Sequence, residues 1–207
     1  MRQGFSEGVV KIICNILLFS AGRTPAAEGT EVGPVGFRRG KKPNMDGVNL
    51  LVSILVCYPE IGTVSYEPGD DVLHFSFALR AVPQRAAYET VGSLIKESIL
   101  TYHSLEGYDE SRIEIFLEGQ GHTAFFHIIR DMRSISQGEI SMIATIMREH
   151  FGDILIRDPD SEPEEVELDI AAHEEAIDHM IGTLKFARVQ NRMIGIREEG
   201  RVLVFNK

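Results

Sequence analysis

A chain of 207 residues with 43% hydrophobic and 25% charged content has the composition of an ordinary globular protein, long enough to bury a core without staples. Its 31 acidic against 21 basic residues leave a net charge of -10, which disfavours a nucleic-acid or phosphate surface. Two cysteines, Cys14 and Cys57, exclude a disulfide framework or a cysteine zinc site, and no run approaches the roughly 18 apolar residues that a membrane span needs.

Residues 1–44 differ from the rest. They carry seven bases and three acids, a net of +4, which leaves -14 on residues 45–207. Gly22 to Asn44 is rich in Gly and Pro without apolar period and is expected to be disordered. The apolar run Val9 to Ala21 invites a signal-peptide reading, weakened by Lys11, Asn15 and a mediocre cleavage site at Ser20-Ala21-Gly22. A non-cleaved amphipathic anchor is a further alternative. The favoured expectation is a non-native extension: Arg38-Arg39-Gly40-Lys41-Lys42 are residues that purine-only codons encode, as a bacterial ribosome-binding site does when translated ahead of Met45. If the segment is native, Arg38 to Lys42 form a basic arm for anionic lipid or RNA.

From Met45, apolar residues Val48, Leu51, Val52, Leu55 and Val56 recur at helical spacing until Pro59. Thr63 to Tyr66 and Val72 to Leu79 alternate around Pro68-Gly69-Asp70-Asp71, with Leu73, Phe75, Phe77 and Leu79 on the buried face of a hairpin. A helix from about Gln84 to Ser104 carries the stripe Tyr88, Val91, Ile95, Ile99, Tyr102. Arg112 to Glu118 and His122 to Ile129 form a second hairpin turning at Gly119-Gln120-Gly121. Its second strand is apolar on both faces and therefore central.

Ser136-Gln137-Gly138-Glu139 reads as a capping box, opening a helix with Ile140, Ile143, Met147 and Phe151 inward. A short strand, Ile154 to Ile156, is expected next. Residues 158–169 hold seven carboxylates and form an acidic linker. Beyond it lie a helix with Ile177, Met180, Ile181 and Leu184 inward and a hairpin, Met193 to Ile196 and Val202 to Phe205, turning at Glu198-Glu199-Gly200. The expected fold is α+β, helices packed on one face of a mostly antiparallel sheet built as three helix-plus-hairpin units. Residues 45–157 form the core domain and 170–207 a helix-hairpin lobe on or near it. The element order of the first three helices and two hairpins loosely resembles that of roadblock-type and related profilin-like scaffolds, a likeness carried by no motif.

The search for chemistry finds little. No glycine-rich phosphate cradle or G-x-S-x-G elbow occurs, and Ser93-Leu94-Ile95-Lys96 matches S-x-x-K without the partner motifs. Glu175 and His179 share a helical face with Asp178 beside them, making weak metal candidates on what also reads as a solvated acidic face. His127 between Phe125 and Ile129 reads as a satisfied core histidine. His74, His103 and His150 stand alone in sequence, and paired carboxylates such as Asp70-Asp71 fall in turns or the linker. Catalytic residues are unknown and no cofactor is called for. The expectation is a bacterial, cytoplasmic, non-enzymatic protein-interaction or regulatory module, able to self-associate, binding neither nucleic acid nor membrane. The alternative is a metal-dependent or small-molecule enzyme whose site is dispersed in sequence.

Overall fold

The computed structural model describes residues 45–108, 111–157, 167–186, 191–198 and 200–206, without the side chains of 167–173. The expectations for residues 1–44 and for most of the acidic linker lie outside them. Among the described residues, four helices, α1 (Met45–Cys57), α2 (Arg85–Glu106), α3 (Gln137–Phe151) and α4 (Glu167–Phe186), accompany six strands. The strands are β1 (Thr63–Glu67), β2 (Val72–Leu79), β3 (Ile113–Gln120), β4 (Thr123–Asp131), β5 (Met193–Glu198) and β6 (Arg201–Asn206). All six join in one antiparallel sheet, in the order β3-β4-β2-β1-β5-β6. The fold is α+β, as the alternation of periods 3.6 and 2 along the chain implies.

One face of the sheet is apolar because period-two alternation puts Val64, Leu73, Phe75, Phe77, Leu79, Phe126 and Ile128 on the same side, all buried. The helices cover this side. Leu51 and Leu55 of α1 sit on Gly195 of β5, where an added Cβ would lie 2.9 Å from Leu55 Cδ1. Tyr88 of α2 and Phe151 of α3 both pack against Phe126, their ring centroids 5.6 and 5.9 Å from it. α4 lies against α1 and α3. Among the described elements no helix packs on the opposite face.

The helix ends follow local chemistry. α2 stops at Gly107, which adopts φ 77° and returns its N–H to the His103 carbonyl. The β1–β2 turn closes through Asp71 at φ 54°, a conformation that aspartate tolerates better than most residues. Four details depart from the sequence reading. α1 buries Leu50, Leu51, Ile54 and Leu55 and leaves Val56 41% exposed, because a helix apolar nearly all round does not fix its own phase. The β3–β4 turn is tighter than expected: Gly119 is in the strand, and Gly121 supplies the positive φ. Ile154 to Ile156 make only a bridge, Leu79 to Leu155, backed by Arg80 N–H to Ile154 O and Ile156 N–H to Ala78 O. The capping box is half formed, since Ser136 Oγ accepts from Glu139 N–H but the Glu139 carboxylate turns inward.

That carboxylate closes a buried polar knot. Arg130, fully buried near the end of β4, donates Nε to Glu139 Oε1 at 2.5 Å and Nη2 to Oε2 at 3.1 Å. His103 Nε2 of α2 lies 2.7 Å from Glu139 Oε2. The remaining guanidinium protons go to Ser134 Oγ, Asp131 Oδ2 and the Arg112 carbonyl. A buried charge survives only when its hydrogen-bonding capacity is met, and here three elements converge to meet it.

Candidate functional site

Among the described residues the sheet has two edges that no strand extends and one face that no helix covers, although Thr63, Ser65, Ser76, His127, Ile194 and Ile196 on that face are all buried. The β3 edge strand is charged: Glu114 and Glu118 lie on its face away from the helices, and Glu114 pairs with Arg112 at 2.6 Å. Charges on an edge oppose strand addition. The β6 edge differs. Its central residues Val202-Leu203-Val204-Phe205 carry no charge, and Leu203 and Phe205 are 39% and 48% exposed on the face away from the helices.

Backbone direction at this edge follows from pairing. Arg197 N–H donates to the Gly62 carbonyl on the β1 side, so Arg197, Gly195 and Met193 direct their backbone groups towards β1. Ile194, Ile196 and Glu198 therefore bond β6 through Phe205, Leu203 and Arg201. The N–H and C=O groups of Val202, Val204 and Asn206 point outward from the sheet, where no described strand pairs with them.

The helix side of this edge is also apolar. α1 lies against β6, and residues 45, 52 and 56 fall within one sector of that helix, away from its buried residues Leu50, Leu51 and Ile54. Met45 is 60% and Val56 41% exposed, and Val52 is half-buried.

On the face without helices, the pairing of β2 with β4 collects polar groups that are scattered in sequence. Ser76 lies directly opposite His127, with Ser76 Oγ 2.9 Å from His127 Nδ1. His74 Nε2 reaches the same nitrogen at 3.1 Å. On the far side of the ring, His127 Nε2 is 3.6 Å from Glu118 Oε2. Phe116 and Phe125 flank the imidazole, with centroids 4.7 and 6.2 Å away. Burial, with the Arg192 charge and despite Glu114, pushes His74 down to about 4. Burial and then His74 push His127 down to about 3. Both rings are neutral at pH 7.

Ser76 and Glu118 on either side of His127 have the order of a serine-histidine-carboxylate relay, but the 3.6 Å gap to Glu118 is too long for a hydrogen bond and leaves His127 Nε2 buried without one. Three further features oppose its use as one. Ser76 is only 4% exposed, and the low basicity of His127 makes it a weak proton acceptor. The amides around Ser76 are spent in ladders to β1 and β4, so they cannot serve as an oxyanion hole.

The residues singled out from sequence are placed elsewhere. Asp178 Oδ1 accepts from Gln137 N–H at 3.1 Å, so it caps the start of α3. Glu175 and His179 are exposed on α4, and His179 accepts Thr183 Oγ1 at its carbonyl. The described residues contain no group of three or more His, Cys, Asp or Glu that could hold a metal. Ser93 and Lys96 both face solvent on α2. The cluster of His74, Ser76 and His127 escaped sequence reading because β2 and β4 are separated by a helix and a strand. The one available signal was that positions 74, 76 and 127 all fall on the less apolar face of their strands. No described helix is long and apolar enough to cross a membrane.

Comparison of the chain with protein-family models, with curated proteins and with solved structures gives no match.

Proposed function

We propose that this is a cytoplasmic, non-enzymatic module that acts by protein contact, with the β6 edge as its docking strand. The observation that carries the reading is the asymmetry between the two sheet edges. β3 bears Glu114 and Glu118, the usual guard against strand addition, whereas β6 bears an uncharged Val202 to Phe205 with outward amides at 202, 204 and 206. Main-chain hydrogen bonds supply affinity in such docking, and the exposed Leu203 and Phe205 supply selection on one face.

The test is panning of a displayed library of extended peptides against the wild-type protein and the Val204→Pro variant. Proline removes the central outward N–H and is tolerated on an edge strand. Peptides with alternating apolar residues enriched on wild type and absent from the variant support the reading. Equal recovery from both overturns it.

The second reading is an enzyme with a dispersed site. The 2.9 Å contact of Ser76 Oγ with His127 Nδ1 is the one observation that favours a hydrolase form of it, tested by fluorophosphonate labelling that Ser76→Ala removes.

A further inference from the structure

We infer that the occupant of the β6 edge is a second copy of this chain, joined by a two-fold axis perpendicular to the sheet at Val204. The inference rests on the docking-strand reading and names its partner.

Antiparallel pairing across such an axis places Val204 opposite Val204 of the second copy. Leu203 then faces Phe205 of the copy, and Val202 faces its Asn206. In an antiparallel ladder, opposed residues lie on the same face. This register satisfies that condition, since Leu203 and Phe205 share the face without helices and Val202, Val204 and Asn206 share the helix side. It is also the register that uses every outward group: residues 202, 204 and 206 exchange about six hydrogen bonds with residues 206, 204 and 202 of the copy. Centring the pair on Leu203 instead would leave the Asn206 groups unused.

The side chains fit the same symmetry. The exposed rings and branches of Leu203 and Phe205 meet their counterparts in two crosswise apolar pairs. On the other face, Met45, Val52 and Val56 of α1 flank the edge, and the two-fold brings them against the same stripe of the copy. A foreign strand would cover β6 alone and leave this stripe in water. A second copy brings strand and helix together, each already apolar where the axis needs it. Charge permits the contact: Arg201 is three positions from the axis, so the two Arg201 side chains stand about 20 Å apart, beyond a screening length of about 8 Å.

Light scattering on size-exclusion chromatography of the full chain at roughly 100 micromolar is the first measurement. The expected mass is near twice 23.1 kDa, with association tightened at least twofold by added salt, which screens repulsion between two acidic bodies but not the uncharged seam. Val204→Pro and Leu203→Lys, each with wild-type circular dichroism, are expected to be monomers at the same concentration.

The register is read by cross-linking in a Cys14→Ser, Cys57→Ala background. An oxidised mixture of Leu203→Cys and Phe205→Cys chains is expected to give disulfide-linked dimers, with either variant alone at least tenfold poorer. A wild-type monomer overturns the inference while leaving the edge reading to the peptide panning. A dimer that survives both Val204→Pro and Leu203→Lys, or cross-links without the pairing of 203 to 205, overturns it by placing the interface elsewhere.

Discussion

The paired histidines of the central strands make acid stability a direct readout of the face without helices. In the unfolded chain a histidine titrates near 6.5, whereas His74 and His127 are held down to about 4 and about 3 in the fold. A depressed histidine leaves stability intact above pH 7 and removes it as pH falls below 6.5, because the unfolded state takes up protons that the native state refuses. At pH 5 each refused proton costs about 2 kcal/mol, at 1.36 kcal/mol per pH unit, and the pair costs about 4 kcal/mol. Against a typical total of 5–15 kcal/mol this is a large fraction. The decline continues until His74 and then His127 accept their protons. Asp131 acts in a lower window. Burial favours its neutral form, but the Ser134 hydroxyl, the amides of Arg112 and Ser134 and the Arg130 charge outweigh this and hold it below 3.8, so its contribution disappears only in stronger acid.

Urea unfolding at pH 7.5 and pH 5, on the wild type and on a His74→Gln/His127→Gln double variant, separates these effects. The wild type is expected to lose about 4 kcal/mol more than the variant between the two conditions. Equal losses would mean that both rings ionise in the fold as they do in water, and the reasoning from burial would be refuted.

Three further outcomes follow from packing. Glu139→Gln removes the fully buried one of the two carboxylates that pair with Arg130, leaving Asp131, and is expected to lower stability by about 3 kcal/mol in chemical denaturation, whereas an Arg130→Met/Glu139→Leu double variant is expected to recover much of that loss. Gly195→Ala forces a methyl to 3.3 Å from Leu51 Cβ, which is fixed to the α1 backbone, and thermal unfolding is expected to report a loss of about 1–3 kcal/mol. Gly47→Ala meets only the sulfur and terminal methyl of Met193, at 2.9 and 2.3 Å. That flexible end can move aside while the helix gains alanine's propensity, so the same assay is expected to show a net change within about 1 kcal/mol.

The sequence was informative wherever period and punctuation agreed. The run from Leu73 to Leu79 alternates so regularly that its buried face was legible, and Ser136 marks a helix start by the amide its hydroxyl accepts, whereas the stop at Gly107, beyond the expected end near Ser104, was not read. The phase of α1 was not legible, because Val48, Val52 and Val56 are as apolar as the residues that prove buried. Neither was strand order. Nothing near Thr63 signals that its neighbour is Ile196, so the meeting of Ser76 with His127, which depends on which strands adjoin, had no local trace. Glu139 was read correctly as a residue of the first turn of α3, but its partner Arg130 is set by the β4 register. The chemical plainness of Val202 to Phe205 could be read directly. That the last strand could pair with a partner was also expected, but its place at the end of the order β3-β4-β2-β1-β5-β6 was not.

Placing β5 beside β1 has a consequence for synthesis on the ribosome. Strands β1 to β4 and helices α1 to α3 have all left the exit tunnel before Met193 to Glu198 are made, yet Leu51 and Leu55 rest on Gly195, and Tyr66 pairs with Met193. Until those last residues emerge, β1 is an open strand beside an uncovered helix, the kind of surface on which nascent chains aggregate. The β5–β6 hairpin is thus also the cover for the seam that β1 and α1 present, and a nonsense codon anywhere before Met193 would leave that seam open.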